Sequence, residues 1–528
     1  MSQDACARLE GWRFVLFNLA LGLGHALVIF NAGAYIAMLP RVAGGLGIPP
    51  SYSTWTQTDY MTALAVGFPL GGWLARRIGP FRTVAPAYAG FALAALLCAL
   101  ARDLPLYLAG RILLGLFGGL TLPGGQALLL GEYPSQRKSV GIGVWSIVTL
   151  TPFSLGPPVG GWIADTLGWR WLFWLNIPVA LFIATTLLIL LYGRDTLRVR
   201  RVRFDTVGFA LCTTFLFGLQ TVLNLGNDRA WLQSGTVTAL SLVTAGSLLL
   251  WVLQAWHARH PLIDLRLFAD RNFAIATSVM TLGFLMFQGL LSLLIVQIQF
   301  QLGYSSWLAG LVFLPMAILA KPVASVMHEI VKRADPRFLA SLSLLGFGIC
   351  YFHLSRYSQA DAFAHLFWPK LLEGACLGGF FVPLTTLMLH GLPITRHAHA
   401  LELANLLRIA AGAVGITVAG IVLYRRQPMH LTRYAEQHTV FEAPTEVALN
   451  LFQSLGLDET QAAAQFARLA SRYSVIHAIN DAFWMAGCGF LALAALVWLA
   501  KPTRLPAKSS DASDIRRETE AIIAEESA

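Results

Sequence analysis

Charge is scarce in this chain: Asp, Glu, Lys and Arg together make up 12% of it, about half of what a soluble globular protein carries. With 56% hydrophobic residues over 528 positions and a mean hydropathy of +0.62, that shortage excludes a soluble enzyme with one anchor. It points to a polytopic membrane protein. Cysteine is sparse too. The six, Cys6, Cys98, Cys212, Cys350, Cys376 and Cys488, contain no C-x-x-C pair, and five lie in apolar runs, so neither a disulfide framework nor a zinc site is indicated. Also missing are G-x-x-x-x-G-K-S/T, H-E-x-x-H, G-x-S-x-G and any metal-spaced His/Cys cluster, so no nucleotide, zinc or serine-hydrolase site is marked.

Long apolar runs fill the space that charge leaves. They fall at 14–38, 54–75, 83–101, 105–130, 139–163, 170–192, 206–224, 235–256, 273–299, 307–328, 338–355, 364–391, 402–424 and 475–499, which predicts fourteen spanning helices. The first carries Arg8 and Arg13 ahead of it and contains Ala32-Gly33-Ala34, but it is too long for the apolar core of a signal peptide. Short loops on the side of the N-terminus hold seventeen Lys and Arg residues, among them Arg76, Arg77, Arg137, Arg194, Arg198, Arg200, Arg201, Arg203 and Arg259. The opposite short loops hold five: Arg41, Arg102, Arg170, Arg229 and Arg356. By the positive-inside rule both termini are cytoplasmic. The net charge of +10 is therefore a topology signal, and with no soluble basic module nucleic acid is not expected as a partner.

The fourteen runs divide into two six-helix bundles with two inserted helices between them. The expected boundaries are 1–204 for the N-terminal bundle, 205–272 for the inserted pair and linker, and 273–424 for the first five helices of the C-terminal bundle. A loop at 425–474 follows, then the last helix at 475–500 and a charged tail at 501–528. A repeat supports the division: Arg76-Arg77-Ile78-Gly79-Pro80 after the second run resembles Lys332-Arg333-Ala334-Asp335-Pro336 after the tenth, the same place in each half. The loop reads as an external helical hairpin. Val447, Leu451, Phe452 and Leu455 recur at helical spacing, Gly456 ends that segment, and Asp458 with Gln461 marks the N-cap of a second helix carrying Phe466, Leu469 and Tyr473. Its apolar stripe must pack within the hairpin or meet a partner.

Ionisable groups inside spanning helices are costly and mark function by default. Asp59 and Arg111 fall at similar depth and are candidates for a carboxylate and the cation that governs its proton. Lys370 and Glu373 are three apart on one helix face and can neutralise each other. Glu402 lies at a cytoplasmic mouth, Arg408 two turns deeper, and Lys321 and His25 complete the set. The proton-coupling candidates are thus Asp59, Arg111, Glu373 and Glu402. The cavity candidates are His25, Asn31, Lys321, Lys370 and Arg408. Two backbone motifs stand beside them: Gly156-Pro157-Pro158-Val159-Gly160-Gly161, which allows close packing and a bend, and the basic turn holding Gly72, Arg76, Arg77 and Gly79.

At these residues the chain resembles the major facilitator superfamily, in its fourteen-helix drug:proton antiporter branch and the EmrB-like group within it. The basic turn resembles the superfamily's loop motif, with Arg76 where Asp is usual; Arg111-Ile112-Leu113-Leu114-Gly115 resembles its Arg motif, and the Gly-Pro run its antiporter signature. Trp169 to Pro178, Pro261 to Phe273, Phe380 to Thr386 and Asn480 to Met485 resemble the branch more specifically. The resemblance covers residues 14–502 and implies an inner-membrane exporter of hydrophobic or amphipathic compounds, driven by a proton gradient without a cofactor. It further implies that the external loop meets a membrane-fusion adaptor leading to an outer-membrane channel. Asn31 stands where the branch has Asp, and an amide carries no proton; Asn224 likewise replaces an acid. An uncoupled facilitator or importer of the same fold therefore stays open, as does a polytopic membrane enzyme, although the ionisable groups scatter over five helices.

Overall fold

The computed structural model describes residues 9–133, 138–192, 203–258, 261–358, 363–437 and 442–502. Cys6, Arg8, Arg137, Arg194, Arg198, Arg200, Arg201, Arg259 and the tail beyond residue 502 lie outside the described residues.

Apolar sequence with no water to bond its backbone folds as helix. Those of the N-terminal half are α1 (Gly11–Leu46), α2 (Pro50–Ile78), α3 (Pro80–Leu100), α4 (Leu104–Glu132), α5 (Lys138–Thr166) and α6 (Trp171–Leu191). The inserted pair is α7 (Thr206–Gly226) and α8 (Gly235–His257). The C-terminal half comprises α9 (Arg271–Leu302), α10 (Ser306–Leu311), α11 (Leu314–Ile330), α12 (Pro336–Leu354), α13 (Phe363–Leu389), α14 (Ile394–Gln437), α15 (Ala443–Ser454) and α16 (Glu459–Leu496). Acids in the short turns start several of them: the carboxylates of Asp103, Asp205, Asp270 and Asp335 accept N–H bonds at the first turns of α4, α7, α9 and α12, each worth about 1 kcal/mol. Among the described residues twelve helices are long and apolar enough to cross a membrane, counting α10 and α11 as one. α2 and α5 reach 29 residues each and pack within the N-terminal half against α4 and α1, so the arrangement is compatible with fourteen crossings.

The halves repeat one packing scheme. α2 packs on α4 as α11 does on α13, α1 on α5 as α9 on α14, and α3 on α6 as α12 on α16. The register is shared as well. An added Cβ on Gly115 or Gly119 of α4 would run into the carbonyls of Tyr60 and Leu64, and one on Gly374 or Gly378 of α13 into those of Met316 and Ala320. One sequence offset relates Tyr60 to Met316, Leu64 to Ala320, Arg76 to Lys332 and Pro80 to Pro336. Contacts across the seam between halves are made by α5 with α10 and α11, by α2 with α14, and by α1 with α9. α7 lies against both α2 and α14.

Three elements depart from the expected lengths. The run at 307–328 is two helices, because Val312 and Phe313 turn the chain and Pro315, in the first turn of α11, has no N–H to continue the ladder of α10. α14 continues through 424 to Gln437, and α16 starts at Glu459 and runs unbroken into the final span. The expected boundaries at 425 and 475 therefore fall inside continuous helices. The capping box of Asp458 and Gln461 is formed as the sequence suggests, but it opens a 38-residue helix.

Candidate functional site

Polar side chains gather where the two halves meet. At the C-terminal end of α2, the guanidinium of Arg76 holds Glu402 of α14 with Nη1 at 2.5 Å from Oε1 and Nη2 at 3.3 Å from Oε2. A fork-to-fork pair of this kind is the strongest geometry an ion pair has. Gly72 makes room for it, since a Cβ there would run into the Glu402 carboxylate. The Nδ1 of His399 is a further 3.7 Å neighbour. Arg77 points elsewhere, over the ring of Trp73 at 5.2 Å, and Gly79, with φ of +97°, turns the chain into α3.

The opposite end of the seam is closed mainly by backbone. The Gly-Pro run of α5 divides its labour: Gly156 and Gly160 lie against the backbone of Gly33 and Ala34 on α1, while Gly161 meets the Ser306 carbonyl and Pro157 faces Gly310 on α10. Asp165 at the end of α5 accepts the N–H of Trp307 at 2.8 Å and the Arg41 guanidinium at 2.9 Å. Burial alone would raise its carboxyl, but those bonds, with one from the Ser305 hydroxyl, hold it below the ordinary carboxylate range. Gln299 of α9 adds a bond to the Ala37 carbonyl of α1 at 3.1 Å.

α7 ties the seam near the same end. Gln220 donates to Thr417 of α14 at 2.6 Å, Thr417 to Asn224 at 2.9 Å, and Asn224 to Thr58 of α2 at 3.3 Å. Gln220 and Asn224 are four apart, on one face of an otherwise apolar helix.

Arg111 is fully buried. Its Nε bonds the Thr56 carbonyl at 2.9 Å and its Nη2 the Gln57 Oε1 at 2.8 Å, with the rings of Tyr35 and Tyr60 at 3.8 and 4.4 Å from the guanidinium carbon. Asp59 is half-buried and feels the Arg111 charge, yet forms no ion pair within 4.0 Å among the described residues. The expected pair is thus two groups in one field rather than a salt bridge.

In the other half the register that sets Arg111 four residues before Gly115 sets Lys370 four before Gly374. Lys370 lies 2.5 Å from Glu373, whose second oxygen accepts the Tyr351 hydroxyl at 2.7 Å. Both charged side chains are fully buried, and the Lys370 ammonium stands 4.4 Å over Phe313. Each charge is thus balanced by the other within the C-terminal half.

The remaining candidates separate. Asn31 turns to α6 and exchanges two amide bonds with Asn176, at 3.1 and 2.7 Å. His25 is buried on α1 and feels the charge of Arg408 across the seam. Lys321 is half-buried on α11. Arg408 is half-buried on α14, bonded to Asn405 at 2.8 Å and flanked by Phe284 and Phe381 at 5.1 and 5.2 Å. Sequence reasoning passed over Asp165, Trp307, Gln220 and Thr417. Only the Gln220–Asn224 spacing could have signalled its part, because the others depend on which distant helix lies opposite.

A profile of the Major Facilitator Superfamily matches residues 21–416. The chain is 30% identical over 495 residues to the "Multidrug export protein EmrB" of Escherichia coli (strain K12), spanning 94% of this chain and 96% of that one. It is 32% identical to the "Fatty acid resistance protein FarB" of Neisseria gonorrhoeae, over 94% of this chain and 97% of that one. Among solved structures, an auto-inhibited POT family peptide transporter superposes with a TM-score of 0.62 at 13% identity, over 92% of this chain and 97% of that one; that likeness speaks for the fold. With the repeated halves and the seam between them, these matches establish that the chain belongs to the major facilitator superfamily and is a transporter rather than an enzyme.

Proposed function

We propose that this chain is a proton-coupled exporter of hydrophobic or amphipathic compounds in the inner membrane, with both termini cytoplasmic, working by alternating access. The observation that carries this reading is the pair of closures on one seam. Arg76–Glu402 holds the cytoplasmic end and Asp165–Trp307, with the Gly161 and Gly310 contacts, the other. Opening one while the other holds is what moves a compound without opening a channel. The kinship with proteins named for multidrug export supports the direction.

Asp59 suits the coupling role best: it is an intramembrane carboxylate without an ion partner among the described residues, near a buried cation, whereas Glu373 and Glu402 are engaged. The hairpin suits a membrane-fusion adaptor and, through it, an outer-membrane channel. Val447 and Leu451 of α15 and Leu455 at its C-cap are 66%, 58% and 71% exposed, so that stripe is not spent inside the hairpin. Phe466 and Leu469 on α16 are half-buried. A second reading, an uncoupled facilitator, draws on Asn31, whose amide stands bonded to Asn176.

Proteoliposome efflux with and without an inward pH gradient separates the two. Coupled export requires the gradient, and Asp59→Asn abolishes gradient-driven efflux while substrate binding persists. Gradient-independent equilibration by the unaltered protein leaves the facilitator.

A further inference from the structure

The inserted pair has no counterpart in the repeat. The offset that carries Tyr60 to Met316 and Pro80 to Pro336 leaves α7 and α8 unmatched, so whatever they do is added to the two-bundle scheme. α8 packs mainly on α7, and α7 alone of the two lies against both α2 and α14. Its grip on those two helices is unequal.

Towards α14 the grip is multiple. Gln220 Nε2 donates to the Thr417 hydroxyl at 2.6 Å, and that hydroxyl donates to Asn224 Oδ1 at 2.9 Å. About two turns further along α14, the Arg425 guanidinium lies 5.0 Å over the ring of Trp231, in the turn between α7 and α8. That ring is placed with effort. Ala230 and Trp231 have φ of +52° and +55°, a left-handed conformation that residues with a side chain keep only where their surroundings hold them in it. The indole lies against Gly226, where a Cβ would run into it, and donates to Asn227 Oδ1 at 3.2 Å. Towards α2 the polar grip is a single bond, from Asn224 Nδ2 to the Thr58 hydroxyl at 3.3 Å, the longest of the set.

Parting the halves at the end of the seam away from Arg76–Glu402 requires α2 and α14 to separate, and α7 must then let go of one of them. A contact kept in both states shifts nothing, whereas the contact that breaks sets the cost of opening. We propose that α7 and α8 form a clasp on this end of the seam, carried by the C-terminal half through Thr417 and Arg425 and unfastened between Asn224 and Thr58. The proposal rests on the alternating-access reading above and adds to it the element that holds this end shut.

The experiment uses the full-length protein in lipid nanodiscs with one cysteine introduced at a buried position. The first position, Ala309, lies between Ser306, which meets Gly161, and Gly310, which meets Pro157, at the end of the clasp. The second, Leu406, lies one turn from Glu402 at the other end. Reaction with a water-soluble maleimide is followed at each, less that of the chain without the added cysteine. Thr58→Val keeps the shape of the side chain and removes the acceptor, leaving a buried amide N–H unpaired in the closed state. It is expected to speed labelling of Ala309→Cys at least fivefold without speeding that of Leu406→Cys. Thr58→Ser, which restores the hydroxyl, stays within twofold of the parent. Thr417→Val also stays within twofold, because its bonds are the same in both states.

An unchanged rate in Thr58→Val overturns the clasp. So does a rise at both cysteines, which is general loosening, and so does a rise in Thr417→Val as large as in Thr58→Val, which puts the release on the wrong helix. The two readings fail differently. No labelling at either position in any chain sinks alternating access and the clasp together, whereas labelling at both positions that Thr58→Val does not alter sinks the clasp alone.

Discussion

The two halves place a buried cation at the same point of the repeated packing and treat it in opposite ways. Lys370 is handed a carboxylate and a tyrosine hydroxyl, so its charge is closed within the C-terminal half. Arg111 is given a carbonyl, an amide and two ring faces, and its charge reaches Asp59. Equivalent geometry therefore carries one cation paired within its own half and one held by uncharged groups, with a carboxylate near it but outside salt-bridge distance. In a fold of two near-copies, such an asymmetry allows one half to respond while the other holds its shape.

The comparison breaks first at Glu373. Glu373→Gln leaves Lys370 buried without a counter-ion, which costs about 3–5 kcal/mol, and thermal unfolding in detergent should show a large drop in midpoint. Adding Lys370→Met should restore most of it. A single variant as stable as the parent would mean that Lys370 needs no counter-ion and that the halves do not differ in this way.

A smaller effect is expected at Arg111. Lys at that position keeps the charge but loses the planar fork and the stacking between Tyr35 and Tyr60, at a cost of about 2 kcal/mol. The same unfolding measurement checks it. Unchanged stability in Arg111→Lys would show that the N-terminal site asks no more of its cation than the C-terminal one does.

The smallest effect falls where the halves touch, at Asp165. Its folded-state carboxyl is held below the ordinary range, so its contribution to the closure between α5 and α10 is present above that range and is lost only as pH falls through the depressed value. Labelling of a cysteine placed at the buried Ala37 should therefore run equally slowly at pH 7.5 and pH 5. With Arg41 56% exposed, the ion pair is worth less than about 1 kcal/mol, and Asp165→Asn should raise the rate only a few-fold. Faster labelling already at pH 5 in the unaltered protein contradicts the assignment.

Much of the architecture was legible because lipid demands apolar length. Thirteen of the fourteen runs correspond to single helices, and the repeated basic turn sits at equivalent points of the two halves. Lys370–Glu373 was legible because three residues on a helix share a face. The extension of α14 to Gln437 and the unbroken run of α16 from its legible N-cap into the last span were hidden, since a helix in water needs no apolar run. The partners of Glu402 and Asn31 were hidden for another reason: they lie 326 and 145 residues away in sequence, and which faces meet is settled by packing.

α14 spans 44 residues without interruption, a rod of about 66 Å, and it carries Glu402, Arg408 and Thr417 before continuing towards the hairpin. Such a rod is a lever arm. If the C-terminal half rocks by ten degrees about its middle, the far tip, about 33 Å from the pivot, sweeps through about 6 Å. Whatever rests on the tip is displaced in step with the Arg76–Glu402 pair near the other end, so that a change at one end of the seam is written as a movement beyond the other.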